Sequence, residues 1–322
     1  MLLIKRPAWW LTSGLVLLAL NGCATLKESG HNKHVYVSLK DSGKVERLPD
    51  QTIWKGAPVM LYDSITPDGK RLVVSSPKMR KIYVFDSQTG KRLAEVAVGK
   101  ASKGVKVSPD GKEAYVANEG EATVSVVNLD VYKNVATIPV KEMPHNIRFN
   151  SDGSIAYVTL QGGAGLGVIN TKQRKLVQVI PTPGLNGPHN MDLSKDEHTM
   201  FIRGVAGQVG VLDLDSDKMI KVMDVGKGHA GIDVIPNGKL VFTGAIADDY
   251  VTVIDARTLK DIKHIKVGFG PHGVRASADN KFLYTTVTAD NKIVVIDINK
   301  LAVVKKIDAD SFPFWAAIQG NP

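Results

Sequence analysis

The sequence predicts an all-β protein, a seven-bladed β-propeller with four antiparallel strands per blade, and three observations carry that expectation. The first is a unit, seen most plainly over Ala101–Asn128: an alternating run to Val107, a turn at Ser108-Pro109-Asp110-Gly111, a second run through Tyr115-Val116-Ala117-Asn118, and a third closing on Val126-Val127-Asn128. Period-two alternation broken by turn residues describes strands and not helices. The second is its recurrence. The third run ends in an apolar residue followed by Asp86, Asn128, Asn170, Asp213, Asp255 and Asp297, at separations of 42, 42, 43, 42 and 42 residues. After each marker a run such as Leu259–Val267 supplies a fourth strand, and four strands at this period make one propeller blade. The third is how the ends fit. Six complete units run from about Met60 to Asp308, Phe312–Ile318 repeats a first strand alone, and His34–Leu39, Lys44–Leu48 and Thr52–Lys55 supply three strands with no first strand. Joined, they make a seventh blade and leave no open sheet edge.

In chain order, residues 1–22 read as a signal peptide. Lys5 and Arg6 form a basic start, and Trp9–Leu20 is apolar but too short to span a bilayer as a mature helix. Cys23 is the one cysteine, so it has no disulfide partner within the chain. Leu20-Asn21-Gly22-Cys23 resembles the lipobox of bacterial lipoproteins, which implies lipidation at Cys23, and Ala24 after it implies sorting to the outer membrane, facing the periplasm. Several acyl chains would anchor the protein firmly, where one alone is marginal. Residues 23–33 are a short polar tether, and residues 34–322 are the propeller, one domain because a closed ring has one continuous core.

Without Lys5 and Arg6 the formal charge falls from +9 to +7. The basic residues sit in turns and on fourth strands (Lys78, Lys172, Lys218, Lys260, Lys305, Lys306), without the interleaved aromatics of a nucleic-acid groove. That excludes nucleic acid and leaves anionic lipid or an acidic periplasmic protein as partners. HExxH, CxxC and GxSxG signatures are missing. Gly162-Gly163-Ala164-Gly165-Leu166-Gly167 falls on the hairpin between second and third strands and opens no helix, so it is not a phosphate loop.

The repeat departs from uniformity at the start of each first strand. One aligned position reads Leu61, Lys103, His145, His189, Ala230, His272 and Phe314, with His229 one residue before Ala230. Equivalent positions lie at one height around the channel, so three histidines share a level and a fourth lies beside it. Pro144, Pro188 and Pro271 precede the three, and fix extended starts of little bulk that turn the imidazoles toward the channel mouth. Imidazole is the commonest transition-metal ligand, so His145, His189, His229 and His272 are candidate metal ligands, with Lys103 beside them; Met60, Met143 and Met191 lie near as candidate soft ligands. Three residues further along, the ring reads Ser64, Lys106, Arg148, Asp192, Asp233, Arg275 and Ala317. These charges either satisfy one another with water or let Lys106, Arg148 and Arg275 hold an anionic ligand.

The unit with Ser-Pro-Asp-Gly and Tyr115-Val116-Ala117-Asn118 resembles the YVTN β-propeller repeat family of exported bacterial and archaeal proteins, from Val35 to Ile318. Tyr157-Val158-Thr159 is close; Phe201-Ile202-Arg203-Gly204 and Phe242-Thr243-Gly244 have drifted. Propellers with histidines at the channel mouth resemble two further groups: the haem-binding propeller of cytochrome cd-type nitrite reductase with its cofactor-maturation relatives, and copper-bearing propellers of periplasmic oxidoreductases. That resemblance implies copper, iron or haem at His145, His189 and His272, with Arg148 and Arg275 also in reach of a cofactor. Haem attachment by CxxCH and a His-His-x-His copper cluster are not written in the chain. Three functions stand open: a lipid-tethered protein that carries, delivers or senses a metal or metal-tetrapyrrole; an oxidoreductase using the same centre; and a scaffold for a periplasmic partner, with no cofactor.

Overall fold

The structure, a computed structural model, describes residues 34–321 apart from Ala164. The expected signal peptide, the Cys23 lipidation site and the tether lie outside the described residues. Seven four-stranded antiparallel sheets form the blades of a propeller. Blade two shows the pattern: Ser102–Val107, Glu113–Asn118, Thr123–Asn128 and Lys133–Pro139, in that order from the inside outward. The first strands of neighbouring blades touch one another around the ring. Fourth strands are largely exposed, as in Lys260–Lys266, and carry the lysines.

Local chemistry explains the repeat. Each period marker closes a turn: the Asp255 carboxylate accepts the backbone N–H of Arg257 and Thr258, and Asn128 serves Asp130 and Val131 in the same way. Such Asx turns lead the third strand into the fourth without apolar help. Between first and second strands, Ser108 Oγ donates to Asp110, Gly111 N–H returns to Ser108 O at 2.8 Å, and Gly111 takes φ = +73°, where a side chain is disfavoured. The Asn of Tyr-Val-Ala-Asn is also used: Asn118 accepts Gly99 N–H and donates to Thr123 and Ser125, buried between strands.

Between blades, one face of each sheet packs on the next. Val73, Val84 and Val105 meet Val116 and Val127 in one such layer, joined by Phe314 and Trp315. The ring closes as expected: Pro313–Ile318 pairs antiparallel with Val35–Leu39, from Val35 opposite Ile318 to Leu39 opposite Pro313, followed by Lys44–Leu48 and Thr52–Lys55. Trp315 lies 4.8 Å, ring centre to ring centre, from Tyr62 of blade one. The closing strand therefore reaches the channel.

Candidate functional site

The histidine level is built on irregular backbone. In blades three, four and six the pairing of first with second strand slips between Pro144 and Ile147, Pro188 and Asn190, and Pro271 and Val274. His145, His189 and His272 sit in these bulges, which re-aim side chains at the cost of ladder hydrogen bonds. A hydroxyl at the fifth position of the second strand repairs the loss: Thr159 accepts Asn146 N–H and donates to His189 O, and Thr286 accepts Gly273 N–H and donates to Phe314 O. In blade five the first strand is cut to Ile232–Val234. His229 stands before it on a loop.

These rings pack on one another instead of lining an open mouth. Centre-to-centre distances are 3.8 Å for His145 and His189, 4.6 Å for His189 and His229, and 5.3 Å for His229 and His272. His272 and Phe314 also stack, at 4.0 Å. His145, His189 and His272 are buried, at 4%, 5% and 0% exposure, and His229 is half-buried.

Hydrogen bonds separate the four. His189 Nδ1 donates to Gln161 Oε1 and His272 Nδ1 donates to Phe314 O, each at 2.9 Å. Those acceptors fix the tautomer with the proton on Nδ1. Nε2 of both rings is left buried, as a bare lone pair with no hydrogen-bond partner among the described residues. One ring nitrogen of each of His189, His229 and His272 lies within 4.8 Å of the others. His145 is different: its Nδ1 meets Glu119 at 2.9 Å and its Nε2 meets the Tyr62 hydroxyl at 2.9 Å. Both its nitrogens are engaged, and its ring serves as a stacking platform for His189.

Tyr62, Glu119 and Gln161 carry no signal in the repeat alone, and Arg203 reads there only as drift from the Tyr-Val-Ala-Asn pattern. Glu119 and Gln161 hold equivalent places just past the second strand, and each reaches the histidine of the following blade. Arg203 stands where Thr159 and Thr286 stand in their blades. Fully buried, it donates to Gln208 O at 3.2 Å and to Gly226 O and Gly228 O at 2.9 Å, clasping the loop that presents His229. Of the other expected residues, Lys103 lies 3.8 Å from Glu119. Arg148 and Arg275 pair with Asp192 and Asp233, at 2.9 and 2.7 Å. Met60 is in the core beside Trp54, Met191 packs with Leu193 and Ile202, and Met143 is exposed.

Electrostatics keep the cluster neutral. Burial, and then His145 beside it, lower His229 to about 4; burial, and then His229, lower His272 to about 3. His189 is pushed well below its ordinary value by burial and by the three other rings. Burial raises the Glu119 carboxyl, but the hydrogen bond with His145 and the charge of Lys103 outweigh it and hold Glu119 low. Three neutral imidazoles with ring nitrogens this close could offer three ligands to one metal ion. The rings, 3.8–5.3 Å apart centre to centre, leave no gap for a macrocycle between them.

Fold and site together define a seven-bladed propeller with a buried histidine cluster on its axis. Residues 62–219 match the family model described as Lactonase, 7-bladed beta-propeller. The chain is similar to hydrazine synthase of Kuenenia stuttgartiensis, with 20% identity, a TM-score of 0.73, and coverage of 81% of this chain and 90% of that one. It is also similar to a functionally unknown protein of Desulfotomaculum acetoxidans, with 15% identity, a TM-score of 0.76, and coverage of 91% and 100%. At these identities the likeness shows the fold. No curated protein matches the chain.

Proposed function

We propose that this chain is an exported, lipid-anchored propeller of the YVTN kind that binds one transition-metal ion at His189, His229 and His272 and carries, delivers or senses it on the periplasmic side of the outer membrane. The observation that supports this reading is the pair of buried, unpartnered Nε2 atoms on His189 and His272, each ring oriented by a hydrogen bond at its other nitrogen, with His229 beside them. Metal-binding histidines are held in this way. Imidazole suits zinc, copper, iron and nickel, and copper heads the affinity order at nitrogen sites. Copper in its monovalent state also adds the least charge beside Lys103 and Arg203. Three protein ligands would leave room at such an ion for a delivery partner or a substrate, which is where the oxidoreductase reading would begin.

The test is metal titration of chelator-treated protein, by elemental analysis and copper competition. One equivalent is expected, with about tenfold or greater loss of affinity in His189→Ala, His229→Ala and His272→Ala. His198 and His264, paired with Asp215 and Asp261 at the surface, provide His198→Ala and His264→Ala as controls with unchanged uptake. A preparation that takes up no copper, zinc, nickel or iron, or ring variants that bind like the controls, would sink the metal reading and favour the scaffold.

A further inference from the structure

Three residues beyond the histidine level, roughly 10 Å deeper at about 3.3 Å per strand residue, the channel carries a belt of charged side chains in which one base has no ion-pair partner among the described residues. Arg148 pairs with Asp192, whose other carboxylate oxygen accepts Val234 N–H at 2.7 Å. Arg275 pairs with Asp233, whose other oxygen accepts Ala276 N–H at 2.8 Å. Both aspartates are thus engaged at both oxygens. Lys106 comes from the same level of blade two and is 8% exposed, yet its ammonium makes no ion pair or hydrogen bond among the described residues. The remaining acid, Asp63, accepts Ser38 N–H, and burial pushes its carboxyl up to about 8, so it brings no full charge at neutral pH.

An unpaired buried ammonium is costly. Burial, followed by the charges of Arg275 and Arg148, holds Lys106 well below its ordinary range, while Asp192 and Asp233 pull the other way. What faces it is space. A cavity of about 350 Å³ runs from Lys106 to the turns that join first and second strands, at the end of the channel away from the histidines. Its walls are apolar side chains, Phe149, Leu193, Val234 and Ile235 among them, with Ser151 and Ser194 on the rim. Arg148, Lys195 and Glu197 line it as well, but Arg148 is paired with Asp192, and a chamber of this size with apolar walls and a few placed polar groups has the make-up of a small-molecule site.

We propose that this cavity binds a small organic carboxylate, its carboxylate paired with Lys106 at the charged belt and its apolar body against Phe149, Leu193, Val234 and Ile235. A monoanion pairs one to one with the Lys106 ammonium, which its own charge helps to keep protonated; sulfate or phosphate would leave a net negative charge buried, and would leave the apolar walls unused. The site is independent of the histidine cluster.

Benzoate is the probe, with benzamide as its neutral counterpart of the same shape and sulfate as an inorganic anion, each titrated at millimolar concentration by ligand-observed NMR and calorimetry. Benzoate is expected to bind saturably and at least about tenfold more tightly than either control, as a charge-assisted pair requires. Lys106→Met should abolish that preference. Should Lys106→Met fail to fold, Ser151→Trp closes the rim with Lys106 in place and should exclude benzoate. The proposal is overturned if the wild-type chain binds no benzoate, if benzamide or sulfate binds as well, or if a folded Lys106→Met or Ser151→Trp protein keeps the benzoate affinity.

Discussion

Arg203→Met removes a clasp while keeping most of the volume of the side chain. The guanidinium is fully buried and serves three backbone carbonyls, at 3.2, 2.9 and 2.9 Å. Two of these, Gly226 O and Gly228 O, belong to the loop just before His229. A buried acceptor stripped of its donor costs about 1–3 kcal/mol, so the two together set a loss of about 2–6 kcal/mol. Relief from burying the guanidinium, which burial already lowers to about 10, offsets part of this, and we expect a net destabilisation of about 3 kcal/mol. The functional effect is separate. With the loop released, His229 is no longer presented to His189 and His272, and loss of such an outer-shell support weakens metal binding by about 10–100-fold.

Urea unfolding with and without copper reads both quantities. At a free-metal concentration of about 100 times the wild-type dissociation constant, metal stabilises the folded state by about 2.7 kcal/mol, and a tenfold weaker site under the same conditions gives only about 1.4 kcal/mol. Arg203→Lys, a point charge without the planar fork, should fall between the two. If the Arg203→Met protein loses stability but keeps the full copper increment, Arg203 is structural and His229 does not depend on it. If its stability is unchanged, the hydrogen-bond reasoning itself is refuted.

Three further outcomes are expected. Ending the chain at Asp310 deletes Pro313–Ile318 with Phe314 and Trp315, at about 3–5 kcal/mol for each aromatic; that rivals a whole domain's stability of about 5–15 kcal/mol, so circular dichroism should find no cooperative thermal transition, and a normal one would mean that the ring is not sealed there. The metal-free protein should be most stable above the ordinary histidine value of about 6.5 and lose stability as pH falls toward the folded values of about 4 for His229 and about 3 for His272, because below 6.5 the unfolded chain takes up protons that the folded cluster refuses. A His229→Ala, His272→Ala double variant should lose less stability between pH 6.5 and 5, and an unchanged slope would show that these rings do not carry the effect. Cys23→Ser should move the protein from the membrane fraction to the soluble one; retention on membranes at high salt would refute lipid anchoring.

The ring was legible because every blade is specified by short-range chemistry. The Asx turn after Asp255 and the Ser108–Gly111 turn involve residues two to five apart, so their order in the chain is their order in space. Closure was legible for a different reason, since two incomplete sets of strands at the ends had only each other. The site was legible as a level and not as a constellation. Alignment put His145 in step with His189 and His272 and left His229 one residue out of step. The three that can share an ion nonetheless include His229 and leave out His145. What decides this lies in other blades: Tyr62 engages His145 from 83 residues away and Glu119 from 26, and no periodicity within one unit brings those residues together.

A signal for the missed residues was present in the repeat's own exceptions. Arg203 occupies a position held by Thr159 and Thr286, and a guanidinium buried there is too large and too charged to be mere drift in a packed sheet; it serves three backbone carbonyls. His229 and Arg203 are thus one change and not two: the shortened first strand of blade five frees the loop, and the arginine of blade four holds it. Lys106 follows the same rule one level deeper, a buried ammonium among pairs that are already complete. In a propeller the agreement among blades makes the ring, and the positions where one blade disagrees with the rest are where its chemistry is placed.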